Sequence, residues 1–237
     1  MSAPIIEPLG EAALLLRLGE RIELGVNRRV HALAARLQAR RPPWLREIVP
    51  AYASLALHLD PQAFDSNALD RESDPLAIAE AWLQDALKDP LEGFAPASSR
   101  MVEIPVRYGG EHGPDLDAFA RHAGLSVAQA VERHCAVEYT VAMLGFAPGF
   151  PYLLGLDPAL QMPRLATPRV KVPAGSVAIG GEQTGIYPRE SPGGWRIIGH
   201  TALTLFDTAR RSPSLLQPGD RVRFLATEVI ATGAAGA

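Results

Sequence analysis

Between Gly145 and Gly199 the chain carries ten glycines and eight prolines in 55 residues, and no other stretch limits its fold as much. Proline has no amide hydrogen to donate, and glycine loses more backbone freedom on ordering than any other residue. A long helix therefore cannot run through this segment. The short apolar runs inside it, Val177–Ile179 and Trp195–Ile198, suit strands joined by tight turns. Glycine is lopsided along the whole chain, four in residues 1–100 against 17 in residues 101–237, while proline divides nine to twelve. This predicts an α+β N-terminal domain over residues 1–95 and a mostly-β, strongly turned domain over residues 100–229. Small residues without periodicity at 92–99 form the linker, and residues 230–237 a frayed tail.

Periodicity fills in the elements. Ala12–Leu18 is an apolar run suited to a buried strand, and Leu55, Leu57 and Leu59 alternate with polar or small neighbours as in a half-buried one. Ile22, Val26, Val30, Leu33 and Leu37 recur at helical steps, with Arg28, Arg29, Arg36 and Arg40 on the opposite, polar face. Pro42 and Pro43 end that helix. A second helix is predicted from Asp74 to Leu87, capped by Ser73. The C-terminal part opens with a strand, Met101–Tyr108, followed by a helix over 116–122 capped by Asp115. Ser126 and Gln129 then match a capping box, which predicts a helix to about Cys135. Strands follow at Tyr139–Leu144 and Arg221–Leu225.

Charge and cysteine content exclude several classes of function. Twenty-three basic and 26 acidic residues leave a net charge of −3, without the footprint of a nucleic-acid or anionic-membrane binder. A single cysteine, Cys135, rules out an internal disulfide or a cysteine-based zinc site. The first 18 residues have no basic segment, and their longest apolar run, Ala12–Leu16, spans five residues, which points to a cytoplasmic protein. There is no Walker-type phosphate loop, no dinucleotide fingerprint after a strand and no nucleophile elbow. The six histidines (31, 58, 112, 122, 134 and 200) show no metal-ligand spacing, so no metal site is expected.

The candidate site residues have two readings each. Cys135 reads as an inert, buried or half-buried thiol rather than a nucleophile. His134 reads as a solvated or helix-terminal histidine, or else an acid–base group. His112 lies on a glycine-flanked loop, as an exposed turn residue or a functional one. Phe146, Phe150 and Tyr152 form either a packed loop or a rigid apolar wall for a ligand. Arg164, Arg169 and Lys171 are either a solvated basic face or a set that recognises carboxylate or phosphate. No catalytic residue is assigned.

Five segments together resemble one family. They are Gly109-Gly-Glu-His-Gly-Pro-Asp-Leu116, Gly145-Phe-Ala-Pro-Gly-Phe-Pro-Tyr152, Thr167-Pro-Arg-Val-Lys-Val-Pro-Ala-Gly-Ser-Val-Ala-Ile179, Gln183-Thr-Gly-Ile-Tyr-Pro188 and Ser191-Pro-Gly-Gly-Trp195. Their order and wording resemble the B-type subunits of 5-oxoprolinase, also called the KipI-like or allophanate hydrolase subunit 1-like family. The resemblance implies that the mostly-β domain is a cyclophilin-like barrel. It implies a non-autonomous subunit working with A-type (LamB/YcsF-like) and C-type (KipA-like) partners to open 5-oxo-L-proline to L-glutamate. ATP would be used by the complex, with no cofactor bound by a recognisable motif in this chain. It also leaves two alternatives, a KipI-like inhibitor of a histidine kinase and a carboxyltransferase-type subunit of urea or allophanate metabolism. His200 stands where the family pattern leads one to expect arginine. Under this resemblance Arg169 and Lys171, two residues apart and bracketed by Pro168 and Pro173, form a cationic pair for a carboxylate or acyl phosphate. Gln183 and Tyr187 are expected to close over the same surface.

Overall fold

The computed structural model describes residues 4–64, 74–88 and 100–231. The expected linker over 92–99, the Ser73 cap and residues 232–237 of the expected tail lie outside them. The chain divides into two compact units, residues 1–98 and 99–237.

In the first unit, β1 (Ile5–Pro8), β2 (Ala13–Arg17), β3 (Leu45–Pro50) and β4 (Ser54–Leu59) form an antiparallel sheet in the order β1-β2-β4-β3. Helices α1 (Leu24–Ala39) and α2 (Pro75–Ala86) belong to the same unit. Leu14 and Leu16 on β2, and Leu55 and Leu57 on β4, share one core with Val30, Leu33, Leu37, Ala79 and Leu83 of the helices. The central strands carry a clear apolar signal. The edge strands β1 and β3 do not, because most of their residues are exposed or only half-buried. Two expectations are corrected here. Asp74 caps α2, its carboxylate accepting from the Leu76 amide, with Pro75 at the first helical position. Arg36, expected on the polar face of α1, is 3% exposed and donates to the Ala86 carbonyl. Its long aliphatic stem lets it lie in the core while its guanidinium satisfies the last turn of α2.

The second unit is a closed seven-stranded barrel. Its strands are β5 (Met101–Gly109), β6 (Tyr139–Leu144), β7 (Pro151–Leu154), β9 (Ser176–Gly180), β10 (Gln183–Ile186), β12 (Arg196–His200) and β13 (Arg221–Ile230). They close in the order β10-β7-β6-β13-β5-β12-β9, with β5 and β13 parallel and the other pairs antiparallel. Among the described residues, closure leaves the barrel itself without an edge strand. β8 (Arg169–Val172) and β11 (Ser191–Gly193) form a separate ribbon. Strand alternation is clean on β5, where Ile104, Val106 and Tyr108 point inward and Glu103, Pro105 and Arg107 outward. Helices α3 (Leu116–His122) and α4 (Val127–Ala136) add Leu116, Phe119, Ala130 and Val131 to the barrel core. The capping box at Ser126 and Gln129 is present in both directions. β13 extends five residues beyond the expected Leu225, to Ile230, because it continues to pair with β5 as far as Gly109.

Candidate functional site: a histidine-bearing cleft and an aromatic cavity

All five residues of β9 are buried, so both of its faces are covered. Val177 and Ile179 fill the barrel, whereas Ala178 packs outside it with Phe150, Tyr187 and Trp195. Ser176 also points outward, into a cleft of about 460 Å³ shared with His112, Arg169, Lys171, Ile197 and His200.

A β-bulge builds one wall of this cleft. On β12, Ile197 pairs with Ala178, but Gly199 rather than Ile198 pairs with Val177. The extra residue shifts the alternation by one, and His200 comes to lie opposite Ser176 on the outer face. Without it, His200 would share the inward side of Ile198. Glycine is required at the turn of the bulge, since a Cβ on Gly199 would sit 2.7 Å from Val106 Cγ1 and 2.9 Å from the Arg107 carbonyl. The other wall is the short 3₁₀ turn at 110–112. It rests on β12 because Gly113 has no side chain; a Cβ there would be 2.1 Å from the Ile198 oxygen. His112 thereby faces His200, with ring centroids 5.4 Å apart. The His112 Nε2 is buried and has no hydrogen-bond partner, while the nearest carboxylate oxygen, on Glu111, is 3.8 Å away. His200 Nε2 donates to the Ala174 carbonyl at 2.9 Å.

The two cations of the cleft differ in their commitments. Arg169 Nη2 donates to Asp115 Oδ1 at 2.8 Å, and Asp115 Oδ2 accepts from the Ile197 amide at 2.7 Å. Asp115 was expected to cap α3; instead its carboxylate makes no cap bond and ties the start of α3 to β8 and β12. Lys171 pairs with Glu190 at 2.9 Å, both side chains well exposed. Arg169 is therefore part of the framework, and Lys171 is free to exchange partners at little cost.

The remaining expected site residues are placed elsewhere. Tyr187 lines a separate cavity of about 110 Å³ with Phe146, Phe150, Tyr152 and Trp195. The Phe150 and Trp195 ring centroids are 5.6 Å apart, and Arg164 lies over Trp195 at 5.6 Å. Burial raises the pKa of both Tyr152 and Tyr187, so both stay neutral phenols. Phe146 is 63% exposed and holds a left-handed backbone, φ 65°. Gln183 opens β10 opposite Gly180 and lines neither cavity. The single expected surface is thus two: a histidine-bearing cleft with His112, Arg169 and Lys171, and an aromatic cavity with Tyr187.

His134 contradicts its reading as a solvated residue. It is fully buried at the end of α4 and stacked on Phe224 at 4.6 Å. Thr184 Oγ1 donates to the Ala178 carbonyl, so it accepts from His134 Nε2, and His134 Nδ1 accepts from the Tyr108 hydroxyl. Burial lowers its pKa to about 3, fixing a neutral imidazole. Cys135 is half-buried, and burial raises its thiol pKa, as suits an unreactive group. Among the described residues, no three His, Cys, Asp or Glu side chains are grouped to hold a metal ion. No helix there is long and apolar enough to cross a membrane.

Comparison with known proteins places this architecture. Residues 4–216 match the family model for the carboxyltransferase domain, subdomains C and D. The B-type 5-oxoprolinase subunit of Escherichia coli O157:H7 is 46% identical over 92% of this chain and 93% of its own length. That of Bacillus subtilis (strain 168) is 42% identical over 93% and 91%. The crystal structure of TTHA0988 superposes with a TM-score of 0.74 at 42% identity; the match covers 92% of this chain and 40% of that longer one. With a family model spanning both units and relatives aligned over nearly their whole length, the chain belongs to the carboxyltransferase subdomain C and D family, in the branch of the B-type 5-oxoprolinase subunits.

Proposed function

We propose that this chain is the B-type component of an ATP-dependent 5-oxoprolinase, which opens 5-oxo-L-proline to L-glutamate together with A-type (LamB/YcsF-like) and C-type (KipA-like) subunits in the cytoplasm. The observation that carries the reading is 46% identity to the B-type 5-oxoprolinase subunit of Escherichia coli O157:H7, over 93% of that protein's length. The need for partners rests on chemistry. Opening an unstrained lactam with ATP requires a cradle for the nucleotide phosphates, and this sequence has none of the recognised loops. The chain's contribution is then the cleft between the 110–112 turn and β12, where His112 and Lys171 present donors to a substrate oxyanion and Arg169 holds the wall.

The test is reconstitution. The three subunits together release glutamate from 5-oxoproline in an ATP-dependent manner, whereas the isolated chain neither does so nor hydrolyses ATP. Glutamate release by the purified chain alone, at the rate of the mixture, overturns the division of labour. Failure of the mixture on 5-oxoproline, with turnover of urea or inhibition of a histidine kinase instead, selects one of the alternatives.

A further inference from the structure

The charges around the cleft do not favour an anion as they stand. Arg169 and Lys171 are outweighed by the carboxylates of Glu111, Asp115 and Glu190, which leaves a formal charge of −1 when both histidines are neutral. The neighbouring pair Arg107 and Glu228, on the strand segment opposite His200, adds no net charge. Among the described side chains that line this cleft, His112 and His200 are the ones that add positive charge by taking up a proton. Protonating both changes the formal charge from −1 to +1. Their rings face each other 5.4 Å apart, and His112 Nε2 is a buried nitrogen with no hydrogen-bond partner. A bare pair of imidazolium ions at that distance repels. An oxyanion between them removes the repulsion and supplies the missing partner of His112.

We propose that the cleft between His112 and His200 is an oxyanion site whose occupancy is coupled to proton uptake by these two histidines. This rests on the reading of the cleft as a binding site for the substrate or an activated form of it, and adds the ligand charge and the residue that governs it. The ligand class is a carboxylate or phosphoryl oxyanion, the functional groups of 5-oxoproline and of an acyl phosphate made from it. His200 carries the effect. An arginine at that position would hold its charge at every pH, whereas an imidazole gains a charge only by taking up a proton. Linkage fixes the direction. If the occupied site holds more protons than the empty one, affinity rises as pH falls, by up to about tenfold per pH unit for each proton taken up.

The experiment is titration of the isolated full-length chain with sulfate, which stays a dianion throughout, from about pH 8 to about pH 6. The affinity is expected to rise at least about tenfold over that range. Calorimetry in buffers of different ionisation enthalpy should show protons taken up on binding. His112→Gln and His200→Gln should each flatten the pH dependence, and His200→Arg should bind sulfate with the shallower pH dependence left by His112 alone. A second arm uses 5-oxoproline: binding with the same pH dependence assigns the site to the carboxylate, and binding of sulfate alone assigns it to a phosphoryl group. Absence of sulfate binding at about pH 6, or a pH dependence unchanged in both Gln variants, overturns the proposal. The readout needs no partner protein, so an inactive reconstituted complex would count against the proposed function and leave this result standing.

Discussion

Asp115 and Arg169 lie 54 residues apart in sequence and meet at 2.8 Å, the Asp115 carboxylate also accepting from the Ile197 amide. The carboxylate is nearly buried, and this contact joins α3, β8 and β12 around the cleft. Removing either partner strands a polar group that water reaches poorly. Asp115→Ala and Arg169→Ala are each expected to cost about 2 kcal/mol in urea denaturation. Lys171→Ala, which breaks only an exposed pair, should stay within about 0.5 kcal/mol. Equal stabilities for the three variants would show that the Asp115 link holds nothing together.

Lys171 therefore separates activity from stability where Arg169 does not. In the reconstituted complex, Lys171→Ala should lower kcat/KM for 5-oxoproline at least about tenfold, about 1.4 kcal/mol of transition-state stabilisation, with an unchanged melting temperature. Full activity would return Lys171 to the solvated rim.

The buried imidazole of His134 ties stability to pH. Its pKa in the fold is about 3, against 6.5 for an unperturbed histidine, so below pH 6.5 the unfolded chain binds a proton that the folded one does not. This contribution is complete above pH 6.5 and is lost progressively as pH falls toward 3, with a slope of up to about 1.4 kcal/mol per pH unit. Urea midpoints should fall accordingly for the native chain. His134→Gln should be less stable at neutral pH, having lost its stacking on Phe224, and should show a shallower decline.

The bulge on β12 provides a backbone test. Gly199→Ala places a Cβ 2.7 Å from Val106 Cγ1 and is expected to cost about 1–3 kcal/mol through overpacking. Because the bulge aims His200 outward, the same variant should lose sulfate affinity at about pH 6 even where it remains folded. A variant with native stability and native affinity would mean that the bulge does not depend on glycine.

Features with a local cause could be read from the chain itself. The ten glycines and eight prolines of residues 145–199 excluded long helices, and the period-two burial of Leu55, Leu57 and Leu59 marked a central strand. The Ser126–Gln129 capping box and the family motifs are contiguous as well, so one sequence sufficed for them. What sequence could not decide depends on residues far apart in the chain. Asp115 looked like a helix cap because capping is a local bond, yet Arg169 and Ile197 compete for the same carboxylate and hold it. Arg36 belonged to a polar helix face by period, until the Ala86 carbonyl, 50 residues away, gave its guanidinium a buried partner. Tyr187 and Lys171 share a motif-rich stretch but line different cavities, Lys171 being carried by the β8–β11 ribbon and Tyr187 by the residue after β10. The outward aim of His200 follows from one extra residue between Ile197 and Gly199, seen only when β12 is paired with β9. Periodicity specifies which face of an element is buried, whereas register, set by strand pairing across the barrel, decided which side chains meet in the cleft.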